Sequence, residues 1–201
     1  ETPDATDMYV KTKLVTSNGC HFDDHYFTQK QKQIIKDTWQ KVNKSQEEKG
    51  IKIFLKIFEI KPEAKQLFPF RDLEGAELLA NTTFRLHARR FVHAIGNTVQ
   101  HLDVLDVSCA PTLVLLGRKH VWIKDFLTGG YLEAFVESVA TVFENEVSEC
   151  KTGEVYEAWT AVFKFLISKL CEGYKLEMQE KENKKDCNHE TSIISHKKEK
   201  S

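Results

Sequence analysis

Apolar residues in this chain recur at intervals of three and four in one stretch after another, and no stretch alternates convincingly at two. Side chains at that period stack on one face of an α-helix, so the pattern confines the chain to helices that pack by their apolar stripes. Ile34, Ile35, Thr38, Trp39 and Val42 mark the first stripe, opened by the capping box Thr28-x-x-Gln31. A second box, Ser45-x-x-Glu48, opens a helix striped by Ile51, Phe54, Leu55 and Phe58. Pro62 breaks that helix and starts a short one, and Pro69 should stop it by biasing Phe68 away from helical geometry. Asp72 to Leu79 reads as a short irregular helix or a turn. From Asn81 to Leu102 runs a long helix whose stripe is Phe84, Ala88, Phe91, Ile95, Val99 and Leu102. Gly96 within it costs about 1 kcal/mol against Ala, which close helix packing would explain. A short helix follows over Pro111–His120, with Ser108 as its expected cap and Pro111 in its first turn. Val121 to Thr128 is a connector. Leu132, Phe135, Val136, Val139, Val142 and Phe143 stripe another helix. Val155, Trp159, Val162, Phe163, Leu166 and Leu170 stripe the last, which should end near Gly173-Tyr174. The expected fold class is all-α, with about six to eight helices of unequal length.

The organisation that follows is a disordered N-terminal arm over 1–27, a helical domain over 28–175 and a charged tail over 176–201 that can start as helix. The arm holds Cys20, His21, Asp23, Asp24 and His25, which lack any recognised ligand spacing and read as a polar tail rather than a metal site. The 201 residues carry a formal charge of −1, which excludes a global field drawing the protein to nucleic acid or to an anionic membrane. The five cysteines are scattered without framework spacing, which favours reduced thiols and a cytoplasmic location. No apolar run approaches the roughly 18 residues that span a bilayer. The chain begins at Glu1, so a membrane association through a lipid anchor upstream stays open.

Leu113, Leu116, Gly117 and His120 share one face of the short helix, so a stripe of buried character ends in an imidazole. Taken alone, such a histidine is usually a boundary residue with one satisfied hydrogen bond. His87, however, lies about 40° from Phe91 on the long helix and borders its apolar stripe, whereas His93 falls about 240° round from His87 and should face solvent or a neighbour. Two histidines 33 positions apart thus stand on the apolar faces of two different helices. An iron porphyrin needs that arrangement: a flat apolar disc wants Phe and Leu around it, its iron wants a neutral imidazole, and its propionates want cations at the rim. Leu116 suits the lining. Arg90 and Lys124 suit the rim, or else are solvated surface charges.

Trp39, Phe58-x-x-x-Pro62, Phe68, His87, Gly96, Leu-Gly-Arg-Lys-His120 and Ala-Trp159, in that order and spacing, resemble the globin family over about Thr28 to Tyr174. The Leu-Gly-Arg-Lys-His run resembles neuroglobin. The Leu-Phe-Pro-Phe corner, His87-Ala-x-Arg-Phe91 and the Glu-Gly-Tyr174 ending look most like globin X and related invertebrate globins. The resemblance implies a three-over-three helical sandwich around haem b (iron protoporphyrin IX). It implies that His120 is the proximal iron ligand, His87 the distal histidine and Phe68 the corner phenylalanine against the haem. It also implies that Phe54 and Phe91 are distal-pocket residues and that Arg90 reaches a propionate.

The same resemblance implies reversible binding of O2, CO and NO, with both histidines on iron at rest. Phe54 and Phe91 are bulky and apolar, so His87 is the only obvious polar group on the distal side. Displacing an internal ligand suits gas sensing or redox chemistry with NO or nitrite, including nitrite reductase or NO dioxygenase activity fed by a separate electron donor. Five-coordinate oxygen storage or transport is the close rival, and a haem-free helical interaction module is the rival from another class.

Overall fold

A computed structural model describes residues 26–146 and 153–198, and among these every regular element is a helix, without strands. In chain order the helices are α1 (Gln29–Val42), α2 (Gln46–Ile60), α3 (Pro62–Lys65), α4 (Gly75–Ala80), α5 (Thr82–Gln100), α6 (Leu105–Ser108), α7 (Ala110–Lys119), α8 (Tyr131–Glu146) and α9 (Gly153–Lys198). The cysteine and histidine cluster at 20–25 lies outside the described residues. Tyr26 and Phe27, the first described residues, join the domain: Phe27 is buried in the core and Tyr26 packs edge-on against Phe165.

Local chemistry sets the helix ends. Thr28 caps α1 as its box predicts: its Oγ1 accepts from the Gln31 N–H, and the Gln31 side chain accepts from the Thr28 N–H. The second box fails. Ser45 sits at φ 63°, in the left-handed region, and its side chain caps nothing. Only Asn43–Ser45 separate α1 from α2, and so short a link takes a left-handed residue to turn the chain. Ser108 does not cap α7 either. It ends α6, Cys109 takes the N-cap position without a side-chain bond, and α7 starts at Ala110 with Pro111 in its first turn. Asn81 caps α5 through the Phe84 N–H, as the start of the long stripe requires.

Close crossings then place the functional helices. A side chain at Gly50 would run into the Ala88 carbonyl, so α2 and α5 touch backbone to backbone one residue from His87. The Gly96 face of α5 is filled by the Trp39 ring of α1, which would lie 2.9 Å from an added Cβ. The core is continuous: Ile35, Trp39, Ile53, Phe84, Ile95, Val139, Trp159 and Phe163 all belong to one buried cluster. The end expected near Gly173-Tyr174 is absent, and α9 continues without a break to Lys198. Gly173 is not a terminator because it packs against the Val114 carbonyl and Arg118 N of α7, where a side chain would not fit.

Candidate functional site

His87 sits in the second turn of α5, between buried Phe84 and Ala88 on one side and exposed Arg89 and Arg90 on the other. Its ring meets Phe54 of α2 edge-on at 5.0 Å and Phe68 of the corner edge-on at 4.9 Å. Phe54 in turn meets Phe91 at 5.3 Å, and Phe91 meets Phe135 of α8 at 5.1 Å. Phe68 stacks on Phe70, with centroids 4.9 Å apart. Four of the residues singled out from the sequence, Phe54, Phe68, His87 and Phe91, are therefore one aromatic group drawn from three parts of the chain. Phe91 is only partly buried, although it lies on the buried stripe of α5.

Burial in these apolar surroundings lowers the pKa of His87 to about 4, with smaller contributions from its electrostatic interactions with His120 and Arg90. The imidazole is consequently neutral at pH 7, with a lone pair to offer.

His120 caps the C-terminal end of α7. Its Nδ1 lies 2.7 Å from the Leu116 carbonyl oxygen. A carbonyl only accepts, so Nδ1 carries the proton and Nε2 keeps its lone pair. The ring stacks on Phe126 of the following connector at 5.1 Å, and Phe126 stacks on Tyr174 of α9 at 5.3 Å. Phe126 and Tyr174 thus fix the plane of the imidazole from behind. Leu116 contributes its carbonyl to this arrangement and is partly buried.

Arg90 and Lys124 are both exposed. The charge of Arg90 is felt at His87. Lys124 makes no ion pair or hydrogen bond to the group among the described residues. His93 is exposed on the far side of α5, as its angular position predicts.

The chemistry of the donors says what could sit between these helices. Among the described residues no cluster of three or more His, Cys, Asp or Glu could hold a bare metal ion. Two imidazoles, one of them with Nδ1 tied to a carbonyl and so with Nε2 directed away, instead suit a metal that arrives in its own carrier. The edges of Phe54, Phe68 and Phe91 suit a flat apolar carrier of that metal. The residues present therefore fit a haem.

Sequence reasoning did not find three contributors: Phe126 behind His120, Phe135 behind Phe91, and Phe70 behind Phe68. Phe126 falls in the connector, Phe135 on a helix stripe and Phe70 in the Leu-Phe-Pro-Phe corner. A ring six residues past a candidate ligand histidine was the available signal for Phe126.

Comparisons with known proteins bear on the family and the fold. The family model described as "Globin" matches residues 51–170. Cytoglobin-2 of Danio rerio is 36% identical over 130 residues, covering 63% of this chain and 71% of the relative. Neuroglobin of Danio rerio is 26% identical over 161 residues, covering 78% of this chain and 98% of the relative. Among solved structures, a hexacoordinated heme protein from an anhydrobiotic tardigrade, crystallised at pH 4, superposes with a TM-score of 0.67 at 21% identity. That match covers 77% of this chain and 99% of the tardigrade protein, and at that identity it speaks for the fold.

Proposed function

This chain belongs to the globin family, whose haem binds oxygen and other diatomic gases, and from that premise we propose that His120 and His87 are the two side chains that would hold the haem iron, both engaged when no gas is bound. Haem, when bound, would supply an iron that takes imidazole nitrogen from the protein and can bind a diatomic gas. The observation that carries the reading is the pair of rings: His120 with Nδ1–H tied to the Leu116 carbonyl and Nε2 free, and His87 held neutral among Phe54 and Phe68.

His120 is the fixed donor. Its Nδ1–H bond and its stack on Phe126 allow one orientation of Nε2. His87 is the exchangeable donor. Ring contacts hold it, and it makes no hydrogen bond among the described residues. Its ring is therefore free to swing aside, and a shift of its one proton from Nδ1 to Nε2 would let it donate a hydrogen bond to a polar ligand there. Phe54 and Phe91 offer no polar group, and their bulk limits the room His87 has to leave. The observed affinity for gas falls with the fraction of molecules in which His87 is displaced. Such gating suits sensing, or redox chemistry with NO or nitrite using a separate electron donor, more than bulk carriage. Arg90 and Lys124 are the cations proposed for the propionates, supported by their exposure beside His87 and in the connector after His120. The scattered cysteines support a reducing, cytoplasmic setting; no described helix is long and apolar enough to cross a membrane.

The test is the visible spectrum of the reduced, gas-free holoprotein. Sharp, split visible bands that give way to one broad band in His87→Leu are expected. A broad single band in the unmodified protein overturns the bis-histidyl reading and moves the protein to five-coordinate oxygen storage. His120→Ala should fail to retain haem on desalting.

A further inference from the structure

The contact between α7 and α9 has two parts with different mechanical properties. The first is smooth. Gly117 of α7 lies against the Leu170 carbonyl, and Gly173 of α9 lies against the Val114 carbonyl and Arg118 N, with no room for a side chain at either glycine. Two glycine faces bring the helices close but supply no ridge to stop one from sliding along or rolling on the other. The second part is a lock. Arg118 Nη1 lies 3.0 Å from Glu177 Oε2, and Nη2 lies 2.6 Å from Glu180 Oε1. Both carboxylates belong to α9 beyond Gly173, three residues apart and thus about 4.5 Å apart along its axis. The planar guanidinium is held at two points along α9, so it resists both translation and rotation of α7. The Arg118 side chain is 30% exposed and that of Glu177 26%, while that of Glu180 is 46% exposed, so the Glu177 contact is the better shielded of the two.

Arg118 precedes His120 by two residues, about 200° round the helix. A roll of α7 about its axis therefore moves the two side chains in opposite senses, and a lock on one is a lock on the other. Tyr174, one residue past Gly173, reaches the same histidine from α9 through Phe126.

We propose that Arg118, Glu177 and Glu180 are positioning residues for the proximal histidine, so that α9 beyond Gly173 belongs to the haem site rather than to a passive tail. The proposal rests on the reading of His120 as the iron's proximal ligand. Its charges work at a distance from the haem: they hold the register of α7, and the register sets where Nε2 of His120 is presented.

The test uses holoprotein in a His87→Leu background, where only the proximal bond is seen. The iron–histidine stretching band is recorded by resonance Raman, and haem release is timed by transfer to an excess of a haem-scavenging protein. Arg118→Met keeps the stem and removes the fork. Glu177→Gln with Glu180→Gln keeps the shapes and removes the charges, and it serves alone if Arg118→Met does not fold. Both variants should broaden and shift the band and speed haem release about five- to tenfold, the factor that loss of one part-exposed bidentate pair gives. Arg118→Lys, which carries the charge without the fork, should restore the band only partly. A band and a release rate unchanged in both variants overturn the proposal while leaving His120 as ligand. A parent protein with haem bound but no iron–histidine band overturns the reading of His120 instead.

Discussion

At the scale of single residues, what matters is that His87 is an imidazole stripped of water. Its pKa of about 4 lies below the ordinary 6.5, chiefly because burial disfavours the charged form. In the haem-free chain this is a statement about stability. The unfolded chain binds a proton near pH 6.5 that the folded chain refuses until about pH 4. The contribution of this residue is therefore intact above pH 6.5 and is lost progressively as pH falls towards 4. Between pH 7 and 4.5 the loss is about 2 kcal/mol. Urea unfolding of the apoprotein and of its His87→Leu variant at the two pH values should show that the variant loses about 2 kcal/mol less. Equal losses would mean that His87 is not desolvated. Phe54 offers a second test. It is 5% exposed and touches five other rings. Phe54→Ala should cost about 3–5 kcal/mol in chemical denaturation, by leaving a hole that its neighbours cannot fill. The sequence made the placement of His87 legible because helical angle alone separates it from His93. It did not make Phe126 legible, because an aromatic residue in a connector carries no period to read.

At the scale of elements, the same signal gave opposite outcomes depending on what surrounded it. Thr28-x-x-Gln31 and Ser45-x-x-Glu48 are equivalent as sequence. The first forms its reciprocal bonds and the second does not, because Ser45 is spent on turning the chain through a three-residue link. Thr28→Ala should accordingly cost about 1 kcal/mol, while Ser45→Ala should lose no cap; at φ 63° its cost is only that of an alanine in left-handed geometry. Thermal unfolding of the pair, read side by side, checks this. A larger effect at Ser45 from loss of helix α2 would contradict the geometry. The glycines teach a related lesson. Gly173 looks like a helix C-terminus when only its backbone freedom is considered. Its role is the absence of a side chain where α9 meets α7, so the helix runs on through it. Local propensity cannot distinguish a glycine that ends a helix from one that admits a neighbour, since the neighbour is more than fifty residues away.

At the scale of the whole molecule, α9 ties together both ends of the argument. Its N-terminal half closes the core against α1: the Trp159 indole N–H donates to Thr38 Oγ1 at 2.8 Å, and that hydroxyl donates to the Ile34 carbonyl at 2.7 Å. Beyond Gly173 it holds Arg118 on the helix that carries His120. The helical stripes made the all-α architecture readable, and the order of Trp39, Pro62, Phe68, His87 and His120 made the family readable. The coupling through α9 was not readable, because it depends on which helices meet. If α9 fastens the fold at Trp159, Trp159→Phe should cost about 1–2 kcal/mol, since it removes a buried hydrogen bond while keeping a ring beside Trp39 and Phe143. In a chain of this length that is a fall in Tm of about 3–6 °C, measured on holoprotein at fixed haem saturation because bound haem itself stabilises the fold. Lys30 and Glu154 also join α1 to α9, at 2.5 Å, but their side chains are 69% and 64% exposed. Water and salt screen that pair, so Lys30→Ala should leave Tm within about 1–2 °C. If instead the two variants fell equally, α1 and α9 would be held by surface charge, and the buried Trp159–Thr38 bond would not be the fastening.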